Sequence, residues 1–154
     1  MKTKRITMLG VMLSLSIVLS IVDSMISLVI IPSVGVKLGL ANVVTLLIMY
    51  QFGEKDALLV AVLRIILVAL LRASPLTTLM MSMSGGLLAF GLMYLFKRIN
   101  KFSPAGVSVT GAVGHSVGQI LMGMFIIEQT ALIYYLPYVL FFSVIAGILT
   151  GIVA

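Results

Sequence analysis

The sequence predicts an all-α membrane protein, a single bundle of six transmembrane helices, and two observations carry that prediction. Of the 154 residues, 62% are hydrophobic and only 9% are charged, and the mean hydropathy is +1.30. Because soluble proteins carry about 25% charged residues, this composition indicates lipid as the solvent. The apolar segments also recur between short polar breaks, and a crossing takes about 20 residues. Residues 1–154 are therefore predicted to form one transmembrane domain.

The helix bounds follow from the places where the apolar segments are interrupted by turn-forming or charged residues. The first apolar segment runs on to about Ile31 without a cleavage signal, so it is interpreted as an uncleaved helix. The outer loop of residues 25–36 is long enough to fold back over the bundle as a gate. The predicted helices occupy residues 7–27, 38–52, 56–71, 75–96, 106–127 and 131–154.

The distribution of Lys and Arg predicts that both termini lie in the cytoplasm. Only Lys37 and Arg72 fall on the opposite side, and the side richer in basic residues is normally cytoplasmic. The net charge of +6 is explained in the same way, without nucleic acid as a partner. We expect a multi-pass protein of the cytoplasmic membrane. The basic residues on the cytoplasmic side are Lys2, Lys4, Arg5, Lys55, Lys97, Arg98 and Lys101.

The composition argues against an enzyme. The chain has no cysteine and only four acidic residues, so thiol chemistry is excluded and a metal site is hard to assemble. The zinc-protease, nucleophile-elbow and phosphate-loop motifs are missing from the sequence. We therefore expect no catalysis and no intrinsic cofactor, and a protein that binds or passes a small molecule.

Arg64 is the clearest polar residue inside a predicted helix. An ionisable side chain at membrane depth costs about 2.5–3.5 kcal/mol on insertion scales, so it needs a partner or a function. Two roles fit Arg64: binding of an anionic ligand, or an ion pair with Asp23 or Glu128 that ties helices together. The residues alone leave both roles open.

The first predicted helix carries small polar residues on one face, at spacings of three and four. This stripe either lines a cavity or allows close helix packing, as Gly10 and Ser14 on the same helix also do. In the fourth helix, the run from Ser82 to Gly86 is interpreted as a polar break that exposes backbone carbonyls. The stripe consists of Ser16, Ser20, Asp23 and Ser27.

Further candidate ligand contacts lie in the second, third, fifth and sixth helices or at their outer ends. His115 and Gln119 are one turn apart on a glycine-rich face of the fifth helix, where they are either ligand contacts or hydrogen-bonded structure. Lys37, Arg64 and Arg72 suit an anionic ligand, and Asn42 suits hydrogen bonds. The tyrosines fit two roles, stacking on a ring of the ligand or forming an aromatic belt at the membrane interface. They are Tyr134, Tyr135 and Tyr138.

The order of motifs resembles the Gx transporter family, which also carries the label heptaprenyl diphosphate synthase component I. The resemblance rests above all on the run Lys37-Leu38-Gly39-Leu40-Ala41-Asn42. It also includes Arg64 after its apolar run, Ser84-Gly85-Gly86, His115 with Gln119, and Tyr134-Tyr135-Leu136-Pro137.

That family is similar to the substrate-binding S components of energy-coupling factor (ECF) transporters. The resemblance implies a six-helix subunit that works with a transmembrane coupling subunit and two cytoplasmic ATPases. It also implies a flavin (riboflavin, FMN or FAD) as the ligand, with export for extracytoplasmic flavinylation and electron transfer as one role. Docking on the coupling subunit would use a small-xxx-small pattern of the first helix, either Gly10 with Ser14 or Ser16 with Ser20.

Two other functions stay open. The family label suggests a membrane accessory protein for prenyl diphosphate or quinone synthesis, although the catalytic subunit itself would need aspartate-rich motifs that this chain lacks. The second alternative is an S component for another vitamin-like molecule.

Overall fold

The computed structural model describes residues 2–30, 37–73 and 76–153, and it is helical through nearly all of them. The described ranges contain no β-strand, so the predicted all-α class is confirmed. A short 3-10 helix, Thr130–Tyr135, leads directly into the last helix. The α-helices are α1 (Lys2–Ile30), α2 (Asn42–Gln51), α3 (Glu54–Leu71), α4 (Leu76–Ile99), α5 (Pro104–Ile127) and α6 (Leu136–Val153).

Four of these elements are long and apolar enough to cross a membrane. They are α1, α4, α5 and the 3-10 helix together with α6. The protein is therefore a helical membrane protein with several crossings. The cytoplasmic placement of its termini stays a prediction.

The second helix is shorter than the predicted helix at 38–52. Helix α2 begins only at Asn42, and Gly39 before it has a φ of +90°, which ends any continuation of the helix toward Lys37. Ten residues of α-helix rise about 15 Å, half of the roughly 30 Å hydrocarbon core. Residues 37–41, called the 37–41 segment below, precede α2 as non-helical backbone.

The predicted gate of residues 25–36 is wrong in its first part. Helix α1 continues to Ile30, because the sequence contains no glycine, proline or charge between Asp23 and Pro32. The rest of that predicted gate, residues 31–36, lies outside the described residues.

The predicted polar break in the fourth helix is also wrong, because α4 is continuous from Leu76 to Ile99. Its glycines serve helix packing: a Cβ atom added to Gly118 of α5 would lie 2.9 Å from the Cα of Gly85. Ser84 Oγ donates a hydrogen bond of 3.0 Å to the Gly118 carbonyl across the same contact. Small residues let two helix backbones approach in this way.

Helix α5 lies between α4 and α6, whereas α1 is at the edge of the bundle and, among the described helices, contacts α2 and α3. At one end of the bundle, Arg5 of α1 forms an exposed ion pair of 2.5 Å with Asp56 of α3. One apolar cluster surrounds α2, including Leu46 and Met49, and a second joins α4, α5 and α6. A small polar region remains between α1, α3, α5 and the 37–41 segment.

Candidate functional site

The 37–41 segment is held by one carboxylate of α1. Asp23, only 2% exposed, accepts hydrogen bonds from three successive backbone N–H groups: Leu38 at 3.2 Å, Gly39 at 2.9 Å and Leu40 at 3.2 Å. Successive N–H groups converge on one anion when a residue adopts positive φ, as Gly39 does. Because irregular backbone at membrane depth cannot turn to water, Asp23 supplies the acceptor that these groups need.

Lys37 fastens the same segment to two other helices. Its backbone N–H donates to Gln119 Oε1 of α5 at 2.8 Å, and its Nζ lies 3.2 Å from Ser82 Oγ of α4. The segment is therefore linked to α1, α4 and α5 by hydrogen bonds, and Leu38 also packs in the second apolar cluster.

The segment lines a small polar cavity inside the bundle. The cavity has a volume of about 20 Å³, which is room for one or two water molecules. The structure thus brings together four residues predicted as ligand contacts, Lys37, Asn42, Arg64 and His115. The polar side chains around it are Ser20, Asp23, Lys37, Asn42, Arg64, Ser82 and His115.

Several buried polar atoms around this cavity have no hydrogen-bond partner within the described part of the chain. They include Arg64 Nη1, Asn42 Nδ2 and His115 Nδ1, on side chains that are 3%, 5% and 4% exposed. Arg64 Nη2 donates to Asn42 Oδ1 at 3.3 Å, so these two side chains orient each other. Unpaired buried polar atoms are rare in folded proteins and indicate a water, an ion or a ligand.

One of the two open roles of Arg64, an ion pair with Asp23 or Glu128, is not formed within the described residues. Neither Asp23 nor Glu128 has a carboxylate oxygen within 4.0 Å of Arg64, and over residues 2–30, 37–73 and 76–153 the ion pair found is Arg5 with Asp56. Asp23 is engaged by backbone N–H groups, and Glu128 is exposed at the end of α5.

Three other predicted ligand contacts lie outside the cavity. Gln119 is fully buried beside it and binds the backbone of Lys37. Arg72 is exposed where α3 ends, and Tyr135, at the end of the 3-10 helix, is 47% exposed. Its neighbours Tyr134 and Tyr138 are 84% and 51% exposed, which fits an interfacial belt.

The structure separates the two candidate docking patterns of α1. Ser16 and Ser20 are buried against the bundle, as the predicted polar stripe requires, together with Asp23 and Ser27. Gly10 and Ser14 are exposed, and a Cβ atom added to Gly10 would meet nothing within 4 Å. In this conformation a partner protein reaches Gly10 and Ser14 but not Ser16 and Ser20.

Sequence reasoning named Asp23 but missed what it binds. The nearest signal is the glycine at position 39, since a glycine at the entrance of a predicted helix is typical of a turn with positive φ. No pattern in the sequence shows which carboxylate such a turn receives.

Comparison with known proteins identifies the family of this chain. Searches of curated proteins and of solved structures each find no match. The sequence matches the family described as heptaprenyl diphosphate synthase component I over residues 12–154, which is nearly the whole chain. This protein therefore belongs to the heptaprenyl diphosphate synthase component I family.

Proposed function

We propose that this protein is the substrate-binding membrane subunit of an ECF-type transporter of the cytoplasmic membrane. The observation that carries the proposal is the small polar cavity, with unpaired nitrogen atoms on Arg64, Asn42 and His115 around it. A bundle that only had to fold would leave no such groups unpaired in lipid, since each costs free energy. In this proposal the chain catalyses no reaction and uses the energy of partner ATPases.

A flavin is the ligand we propose first, because the resemblance described above implies it. A pocket for a molecule of that size measures about 300 Å³ or more, whereas the cavity measures about 20 Å³. Binding of a flavin therefore requires the 37–41 segment to move away from the bundle. The links that must break are the hydrogen bonds to Asp23, Gln119 and Ser82 and the packing of Leu38.

The exposed face of α1 suits the coupling subunit in this proposal. Gly10 and Ser14 are four residues apart, so they form a flat strip on one side of the helix. A small-xxx-small strip allows a second helix to approach closely in a membrane.

Co-purification from membranes tests the proposal. We expect flavin fluorescence in the purified sample, together with the coupling subunit and both ATPases. Gly10→Leu should remove the partner proteins while the ligand stays bound. Gly91→Leu is the matched control, because Gly91 is exposed on α4 and an added Cβ there also meets nothing within 4 Å. A colourless sample without ATPases would overturn the proposal.

The family description favours a second candidate, an accessory protein for prenyl diphosphate synthesis. A diphosphate is an anion that Lys37 and Arg64 suit chemically. Recovery of a prenyl synthase in place of the ATPases would establish this candidate. Mass spectrometry of the extracted ligand separates a flavin from another vitamin-like molecule.

A further inference from the structure

We infer that the cavity recognises an oxyanion, a carboxylate or phosphate group of the ligand, through Arg64, Asn42 and Lys37. The inference rests on the proposed binding function and names the chemical group that the site selects. Its support comes from the charges, the hydrogen-bonding atoms and the size of the cavity.

The cavity contains more basic than acidic side chains. Lys37 and Arg64 line it with a single acid, Asp23. Both oxygens of Asp23 are already engaged, Oδ1 by Leu38 and Oδ2 by Gly39 and Leu40.

The other three acidic residues of the chain lie elsewhere. Glu54 and Asp56 are in the first turn of α3, where Asp56 pairs with Arg5, and Glu128 is exposed at the end of α5. A buried positive charge without a counter-ion is costly, so a bound anion would complete this site.

The unpaired atoms are mainly donors. A guanidinium has no acceptor atom, and Arg64 has Nη1 free while its Nη2 binds Asn42 Oδ1. The amide Nδ2 of Asn42 is a second free donor, next to Gly39: a Cβ atom added there would lie 3.0 Å from it. Two donors on side chains that are hydrogen-bonded to each other suit a group that only accepts hydrogen bonds, as an oxyanion does.

The size of the cavity also favours such a group. About 20 Å³ is room for one or two atoms of the size of a water molecule. The oxygens of a carboxylate or of one edge of a phosphate fit this space, whereas an aromatic ring does not.

Two flavins that differ by one phosphate group provide the test. The protein, in nanodiscs of neutral phosphatidylcholine, is titrated with FMN, with riboflavin and with inorganic pyrophosphate, and its thermal stability is measured. We expect FMN to bind about tenfold or more tightly than riboflavin, since a hydrogen bond to a charged group has that effect. Arg64→Gln should abolish the difference. Arg98→Gln, an exposed arginine in the last turn of α4, should preserve it.

A second variant keeps the test decisive if Arg64→Gln does not fold. Asn42→Asp places a carboxylate next to Arg64 and supplies the missing counter-ion. We expect this variant to be more stable than the wild type without ligand and to lose its response to FMN and pyrophosphate. Lower stability with an unchanged response would contradict the inference.

The outcomes separate the inference from the proposed function. Equal affinity for FMN and riboflavin overturns the oxyanion inference and leaves the flavin-binding function intact. If pyrophosphate binds and neither flavin does, the oxyanion inference is supported and a flavin is excluded as the ligand. A phospholipid that co-purifies with the wild type and is lost in Arg64→Gln assigns the oxyanion to a lipid headgroup and removes the transport function. No bound molecule and no response to any probe overturns both.

Discussion

Two regions of this bundle are held together in different ways. Helices α4, α5 and α6 meet at glycines: an added Cβ at Gly118 would lie 2.9 Å from Gly85 Cα, and one at Gly147 would lie 2.8 Å from Val109 Cα. The 37–41 segment is held instead by hydrogen bonds to α1, α4 and α5, chiefly those of Asp23. The cavity therefore lies beside a segment held by polar bonds, next to a region in which helix backbones touch. A ligand site that must open is expected in such a place.

The first prediction tests whether Asp23 alone orders the 37–41 segment. Asp23→Ala removes the acceptor of three buried N–H groups, and each bond to a charged group contributes about 1.5–3 kcal/mol. We expect stability to fall by about 3 kcal/mol or more, and hydrogen exchange to increase at Leu38, Gly39 and Leu40 while α5 stays protected.

The control for this prediction is Ser24→Ala, at the next position of α1. Ser24 is also buried, but within the described residues its hydroxyl bonds to the Ser20 carbonyl of its own helix. Unchanged exchange in the 37–41 segment of Asp23→Ala would show that packing of Leu38 holds the segment instead.

The second prediction tests the close glycine contact between α4 and α5. Gly118→Ala forces a methyl group against Gly85 Cα and the Ser84 carbonyl, both backbone atoms that cannot rotate away. Overpacking of this kind costs about 1–3 kcal/mol. We expect a lower melting temperature without a selective increase of exchange in the 37–41 segment.

Gly91→Ala, on the exposed face of α4, is the matched substitution. It should leave the melting temperature the same or raise it, because alanine favours helix more than glycine does. Equal effects of the two substitutions would mean that helix propensity, and not close approach, decides the role of these glycines.

The third and smallest effect is expected at the edge of the bundle. Arg5 and Asp56 join α1 to α3, but the arginine side chain is 55% exposed. Such pairs contribute about 0.2–1 kcal/mol and weaken in salt. Arg5→Gln should therefore lower the melting temperature slightly at low ionic strength and not at high ionic strength. A loss as large as that of Asp23→Ala would show that this pair, and not the buried carboxylate, holds α1 in place.

The sequence predicted the helices well and the contacts between them poorly. Hydropathy depends on single residues, so it located α3, α4 and α5 to within a few positions. It placed Arg64 and His115 at membrane depth, and both line the same cavity. The bonds that Asp23 accepts join residues 15 to 17 positions apart through backbone atoms, and every residue except proline has the same backbone N–H. Composition and spacing therefore do not predict that Asp23 binds these groups.

The glycines show the same limit of prediction from sequence. Gly85 lies inside a regular helix and makes a close contact, whereas Gly39 has positive φ and interrupts one. The sequence predicts a break at the first and a helix at the second, and both predictions are wrong. The difference depends on neighbours that are remote in sequence, Gly118 for one and Asp23 for the other.

The bonds of Asp23 also have a consequence for how the protein is made. A carboxylate in lipid costs about 2.5–3.5 kcal/mol at the centre of a helix during insertion, and α1 is synthesised before the other described helices. The groups that bind Asp23 follow it by only 15 to 17 residues, so they leave the ribosome almost immediately afterwards. Helix α1 and the 37–41 segment are thus suited to enter the membrane together, with the hydrogen bonds of the carboxylate formed before the following helices arrive.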